Sequence, residues 1–287
     1  MFRHQKLTMK RDLFSWWTRP QWLRGTGKAR VLFAGPWVGE FGWELMNWQA
    51  WVRALAPRYE EVWVCSRPSS EALYADVFTR FIPHAIRGKP VHVIATEVQN
   101  PEERARVLGM LTPEMDHLLP RLFVPVAAQR FIRFGERLDS PPADVLFHAR
   151  GKDIASSRNW SQGAWVDMCG RLTAAGLKVG CVGLSAATLD VPGVADFRDR
   201  PLAETMDLMA SAKVVIGPSS GPMHLASLCG VPHVVWTDRG IYRMGKTSRQ
   251  KYESWWNPLN TPVKVLDDEG FAATPETVMN AVSEILR

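Results

Sequence analysis

The stretch Val214-Val-Ile-Gly-Pro-Ser-Ser-Gly-Pro-Met-His-Leu-Ala-Ser-Leu-Cys-Gly-Val-Pro-His-Val-Val-Trp236 constrains the fold more than any other part of the chain. It reads as strand, tight glycine turn, helix, proline break and second strand. Val214 to Ile216 are β-branched, as a buried strand would be. Gly217, Pro218 and Gly221 punctuate the turn. Ser219 and Ser220 suit the N-cap of a helix from about Pro222 to Cys229, and Gly230-Val-Pro232 ends it. Unpaired N–H groups and the positive end of the helix dipole then face whatever lies beyond the strand, a setting that favours an anion and most often phosphate. A strand-to-helix joint with no ligand would carry the same punctuation.

Two further patterns overlap this region. Gly217-Pro-Ser-Ser-Gly221 matches the hydrolase elbow Gly-x-Ser-x-Gly, but no acid lies between Ser219 and the following His224 or His233, so the chain order of that triad fails. Gly240-Ile-Tyr-Arg-Met-Gly-Lys-Thr247 matches a P-loop expression, yet its bulky residues would keep the amides from converging on phosphate.

Gly217, Ser220, Gly221, His224, Leu225 and Ala226 resemble the strand-to-helix stretch of heptosyltransferase-like glycosyltransferases, the family 9-like group. Ser219 departs from that pattern, which usually has Asp there. The resemblance is strong over about residues 145–240 and weak over 30–287. It implies a GT-B architecture of two Rossmann-like, doubly wound α/β domains facing a cleft, with a nucleotide sugar as donor and no other cofactor. Alternating strand and helix signals in two blocks imply the same class independently. The expected division is a basic aromatic segment at 1–28, an acceptor-side α/β domain at 29–140 and a sugar-nucleotide-binding α/β domain at 141–287 with a C-terminal helix. Helices are expected near 70–80 and, broken by prolines, over 101–138, with strands at 61–65, 91–94 and 178–182.

Glycine-rich and polar positions at the strand ends supply the candidate site. In the first block Gly39-Glu-Phe-Gly42 follows a strand, where the resembled enzymes have a Gly-Asp pair. Glu40 is therefore a candidate base for an acceptor hydroxyl, and Glu44, one helical turn later, is a second. Alternatively Glu44 serves only the helix start. In the second block His148-Ala-Arg-Gly-Lys152 follows the strand Val145-Leu-Phe147. Arg150 and Lys152 are expected to protrude and to neutralise a departing nucleoside diphosphate together with the helix end. His148, Gly217, Ser219, Ser220, Gly221, Pro222, His224, Thr237 and Asp238 complete the expected binding set, with Gly39 and Gly42. His148 is equally readable as a core histidine. Tyr252 to Asn257 is a candidate cover for base or sugar, or ordinary packing. No Asp-x-Asp pair occurs, so no metal site is expected.

The charge is concentrated at one end. Residues 1–30 hold eight Lys/Arg against the single acid Asp12, while the whole chain carries +6. Interleaved Phe14, Trp16, Trp17 and Trp22 suit an anionic membrane surface, although a flexible basic tail has the same composition. A near-neutral body without a recognised motif argues against nucleic acid. No apolar run reaches the length of a membrane span and no signal-peptide core is visible. The four cysteines, in apolar settings without CxxC pairing, read as reduced core residues of a cytoplasmic protein. The expected function is metal-independent transfer of a sugar to a glycan or lipid-linked acceptor at the inner membrane face. A sugar-nucleotide epimerase and a non-catalytic nucleotide-binding protein are the alternatives.

Overall fold

A computed structural model describes residues 22–88, 98–240 and 245–287. The chain divides into two compact units, one ending at Arg130 and the other starting at Phe131. The boundary precedes the division expected at residue 140. The reason is that Phe134, Glu136 and Leu138 donate their amides to Leu228 O, Asp207 Oδ1 and Ser211 Oγ of the second unit.

The first unit holds a five-stranded sheet in the order β1-β5-β2-β3-β4, built from β1 (Leu23–Arg24), β2 (Val31–Ala34), β3 (Glu61–Ser66), β4 (Arg80–Pro83) and β5 (Asp116–Leu118). All pairings are parallel except that of β1 at the edge. Helix α1 runs from Phe41 to Leu55 and contains a π turn at Glu44–Trp48. Its inner face stacks Trp48 on Trp37 and packs Trp48 against Trp51. Helix α2 (Pro101–Leu108) is stopped by Gly109.

Three expectations change here. The helix placed near 70–80 is a 3₁₀ segment, Pro68–Tyr74, followed by β4. The stretch after α2 holds no α-helix, only a 3₁₀ turn at Val126–Ala128; it supplies β5, whose Asp116-His-Leu118 is buried throughout and offers no alternation to read. Residues 22–28 are not a free tail, because β1 pairs with β5, Trp22 O accepts from the Leu119 amide and Asp116 Oδ1 accepts from the Gly27 amide. The expected strand at 91–94 and residues 1–21 lie outside the described residues.

The second unit holds a six-stranded, all-parallel sheet in the order β11-β10-β9-β6-β7-β8. Its strands are β6 (Val145–Phe147), β7 (Val179–Cys181), β8 (Ala195–Asp196), β9 (Val214–Pro218), β10 (His233–Trp236) and β11 (Val263–Leu266). Numbered from β6 this is the 3-2-1-4-5-6 order of a dinucleotide-type fold, with its topological switch point between β6 and β9. Its helices are α3 (Gln162–Ala174), α4 (Leu202–Ser211), α5 (Gly221–Cys229), α6 (Ser248–Tyr252) and α7 (Pro275–Ile285). Gly230, at φ 70°, ends α5 in the left-handed conformation that glycine adopts without a Cβ penalty. Phe147, Trp160, Trp165 and Trp236 stack into one layer of the core, with ring centroids 4.3–5.7 Å apart. Both sheets with their flanking helices form the expected α/β class.

Candidate functional site

In parallel sheets of this kind, ligands bind beyond the carboxyl ends of the strands at the switch point. In the second unit that point is occupied by His148 and Ser220. The His148 amide bonds to Ile216 O at 3.1 Å, continuing the β6–β9 ladder one residue past β6. Its side chain lies beside Gly217, where a Cβ would come 2.9 Å from Met223 Sδ and 3.4 Å from His148 Cβ. Glycine at 217 is therefore what lets the histidine and the start of α5 close on the strand end. His148 Nδ1 and Ser220 Oγ share a hydrogen bond of 3.0 Å across the switch point. Burial, with smaller contributions from Lys152 and Arg150, lowers the His148 pKa to about 3. The ring is thus neutral at pH 7.

Ser220 is the N-cap of α5 and Gly221 its first residue. Pro222 has no N–H to orphan, and the amides of Met223 and His224 both turn to Ser220 O, at 3.1 and 3.3 Å. The amides of Ser220 and Gly221 have no partner among the described residues. Two N–H groups and a half-exposed hydroxyl therefore meet at the positive end of a buried helix, an arrangement that can bind an oxyanion.

Ser219 is buried and turned the other way: Tyr252 donates its hydroxyl to Ser219 Oγ at 2.9 Å. The side chain at the position where the resembled enzymes usually have Asp thus serves packing between α5 and α6. His224 stacks on Tyr252 at 5.3 Å and meets Trp256 edge-on at 4.9 Å. Its Nδ1 has no partner among the described residues, and burial lowers its pKa to about 3. Tyr252 and Trp256 are therefore part of the layer beneath the helix start. Thr237, buried, and Asp238 follow β10 on the same sheet edge, where Asp238 Oδ1 accepts from Ser248 Oγ at 3.1 Å and ties the loop to α6.

The expected cation pair behaves asymmetrically. Lys152 is exposed. Arg150 does not protrude: its guanidinium is buried and donates to Ala155 O at 3.0 Å, to Lys152 O at 3.4 Å, and to Ile154 O and Asn159 Oδ1. It organises the loop that carries Lys152 instead of meeting a ligand directly. The reason is carbonyl supply, since a loop folded over a buried cation presents its own acceptors to it.

In the first unit Gly39 and Glu40 lead into α1, and Gly42 lies in its first turn. Glu40 is exposed and makes no side-chain hydrogen bond or ion pair among the described residues. Glu44 is different, with 0% exposure and both oxygens occupied. Ser66 and Tyr74 donate to Oε1 at 2.5 and 2.9 Å, and Arg67 and Ser70 to Oε2 at 2.5 and 2.9 Å. In this arrangement Glu44 offers neither oxygen to an acceptor hydroxyl, contrary to its reading as a candidate base, and clamps α1 to the segment after β3. None of its four partners was legible as a site residue, because they are spread over Ser66 to Tyr74 and meet Glu44 only through the sheet. Burial and then Glu44 push the Tyr74 phenol well above its usual range.

No protein-family model matches the chain, and no curated protein matches its sequence. Solved structures do match. The E. coli ADP-heptose LPS heptosyltransferase II aligns with a TM-score of 0.54 at 14% identity, over 90% of this chain and 98% of its own. The glycosyl transferase family 9 protein from Veillonella parvula DSM 2008 aligns with a TM-score of 0.60 at 12% identity, over 90% and 97%. The E. coli heptosyltransferase WaaC with ADP aligns with a TM-score of 0.53 at 11% identity, over 89% and 99%. The fold is therefore of the GT-B glycosyltransferase type. Within that type it is similar to heptosyltransferases and family 9 proteins along nearly their whole length.

Proposed function

We propose that this chain is a metal-independent glycosyltransferase that moves a sugar from a nucleotide-sugar donor to a glycan or lipid-linked acceptor. The observation that carries the reading is the open helix end at the switch point of the second unit, where the Ser220 and Gly221 amides and the Ser220 hydroxyl converge. A donor diphosphate fits it chemically, and one of the similar structures is of a heptosyltransferase with ADP. In this reading Glu40 takes the proton of the acceptor hydroxyl. The freed oxygen bonds to the anomeric carbon, and the bond from that carbon to the diphosphate breaks with its electron pair leaving on the phosphate oxygen. The helix end and Lys152 meet the charge that develops there. Among the described residues there is no group of three His, Cys, Asp or Glu side chains that could hold a metal ion.

The basic aromatic segment at the start of the chain would hold the protein on the cytoplasmic membrane face, near a lipid-linked acceptor. Among the described residues no helix is long and apolar enough to cross a membrane.

The test is a thermal-shift panel of nucleoside diphosphates and sugar nucleotides on the whole chain, followed by a transfer assay with and without EDTA. A bound nucleotide at 100 times its dissociation constant should stabilise by about 2.7 kcal/mol. Transfer should survive the chelator. Loss of activity in EDTA that magnesium or manganese restores would overturn the metal-independent reading, and turnover of the donor without any acceptor would favour an epimerase.

A further inference from the structure

Four helices of the second unit begin at a Ser or Thr N-cap, and three use it in the same way. Ser161 Oγ accepts from the Ala164 amide, Thr247 Oγ1 from Gln250 and Thr274 Oγ1 from Thr277, each the third residue of its helix. Ser220 is placed to do the same for Met223 and does not. Its backbone is extended, at φ −164° and ψ 171°, whereas the other three caps have φ between −67° and −82°. Its hydroxyl is held by His148 Nδ1 at 3.0 Å, and His148 is 4% exposed. The Met223 amide is left to the Ser220 carbonyl. A second, separate feature marks the same helix start: His224, in its first turn, is 9% exposed, and its buried Nδ1 has no partner among the described residues.

We propose that His148 is a positioning residue that withholds the Ser220 hydroxyl from the helix cap, leaving hydroxyl and terminal amides free for the phosphate oxygens of the donor. The inference rests on the donor-site reading above. With the ring proton on Nδ1, His148 donates to Ser220 Oγ and fixes that oxygen, and the hydroxyl keeps its own proton to donate to a phosphate oxygen. Held by a ring fixed between β6 and Gly217, it remains at the helix end in the one orientation that the bond to Nδ1 permits. The neutral ring suits this task, because it needs a single hydrogen bond and no charge of its own.

The experiment is calorimetric titration of the whole chain with inorganic pyrophosphate and with ADP, UDP and GDP. His148→Leu should weaken binding about tenfold, the worth of one hydrogen bond to a charged group. His148→Asn, whose amide can replace Nδ1, should restore affinity to within about threefold of wild type. The double variant His148→Leu, Ser220→Ala should bind no more weakly than Ser220→Ala alone, since both remove one coupled interaction. Equal binding by His148→Leu and wild type would overturn the inference and leave the donor site standing. Additive losses without rescue by Asn would assign His148 to packing alone and would also overturn it. Absence of binding by the wild type to all four probes would remove the donor-site reading and the inference with it. Should His148→Leu not fold, amide exchange of Met223 decides the matter. Ser220→Ala should leave its protection unchanged, whereas a fall would show that the hydroxyl caps the helix in solution.

Discussion

In the first unit the carboxyl ends of the strands are filled by the protein's own polar groups. His117 on β5 donates to Gly35 O at 2.7 Å, His84 donates to Trp37 O at 3.0 Å, and Glu44 collects four donors on one carboxylate. In the second unit the point between β6 and β9 has a side-chain bond from His148 to Ser220 and leaves the Ser220 and Gly221 amides without a partner among the described residues. Two sheets of one class thus treat the carboxyl ends of their strands oppositely. A polar group with a protein partner stabilises the fold, and one without a partner is available to a ligand. Fold alone does not say which.

The largest effects should come from separating Glu40 and Glu44, two acids one turn apart. Glu40→Gln is expected to lower kcat by about 10²- to 10⁴-fold, the usual worth of a general base, with the melting temperature unchanged. Glu44→Ala is expected to destabilise the first unit by about 2–4 kcal/mol, because it strands the buried hydroxyls of Ser66, Ser70 and Tyr74 and takes the acid from the half-buried Arg67. Transfer kinetics and thermal melts of the two variants check this. A stable, inactive Glu44→Ala protein would reverse the assignment.

Acid should then expose the second unit as the weaker one. Burial lowers His148 and His224 to about 3 and His233 to about 4, against an ordinary value of 6.5. The unfolded chain therefore binds more protons than the folded one between about pH 6.5 and these values. The stability of the neutral forms is complete above about pH 6.5 and is lost as pH falls through that window, on the order of several kcal/mol in sum by pH 4. In the first unit His84 and His117 are lowered in the same direction, chiefly by burial. Thermal melts from pH 7 to 4, with amide exchange to show which unit opens first, are the measurement. A second unit that keeps its full stability at pH 4 would mean that these histidines stay hydrated.

The contrast between the units also explains what the sequence could and could not reveal. The switch point of the second unit is legible because strand, turn, cap and helix are consecutive from Val214 to Cys229, and turn chemistry is local. Ser161, Thr274 and Pro275 mark their helices for the same reason. The first unit hides its logic in long-range partners. Its strands β4 and β5, Arg80–Pro83 and Asp116–Leu118, are too short for periodicity and contain a proline, an aspartate and a histidine. Arg150 misled for a related reason, since sequence shows a cation after a strand but not the carbonyls of Lys152, Ile154 and Ala155 that enclose it.

The basic segment belongs to the same comparison, because its end is part of the first sheet. Residues 1–21 hold five Lys/Arg, which at about 1 kcal/mol each near an anionic surface should give vesicle binding that falls with salt. Deleting residues 1–21 should abolish flotation with anionic vesicles and leave melting and transfer to a soluble acceptor intact. Deleting through Lys28 should also lower the melting temperature, because it removes β1 and the Gly27–Asp116 bond. Identical melting of the two truncations would show that β1 adds nothing to the first unit.

The smallest effect tests whether the open switch point owes its affinity to the fold or to charge. Lys152 is exposed and sits on a loop that Arg150 holds from inside. Lys152→Ala should raise the dissociation constant of a nucleoside diphosphate about three- to tenfold at low salt. The difference from wild type should shrink as salt rises, as expected for a screened surface charge. Arg150→Lys keeps the charge but loses the planar fork that serves several carbonyls, so it should loosen the loop by about 1–3 kcal/mol and weaken binding at every salt concentration. Calorimetry at two ionic strengths separates the two behaviours. A salt-sensitive loss in Arg150→Lys matching that of Lys152→Ala would mean that Arg150 acts as a cation toward the ligand after all, and that the loop carbonyls release it when the site fills.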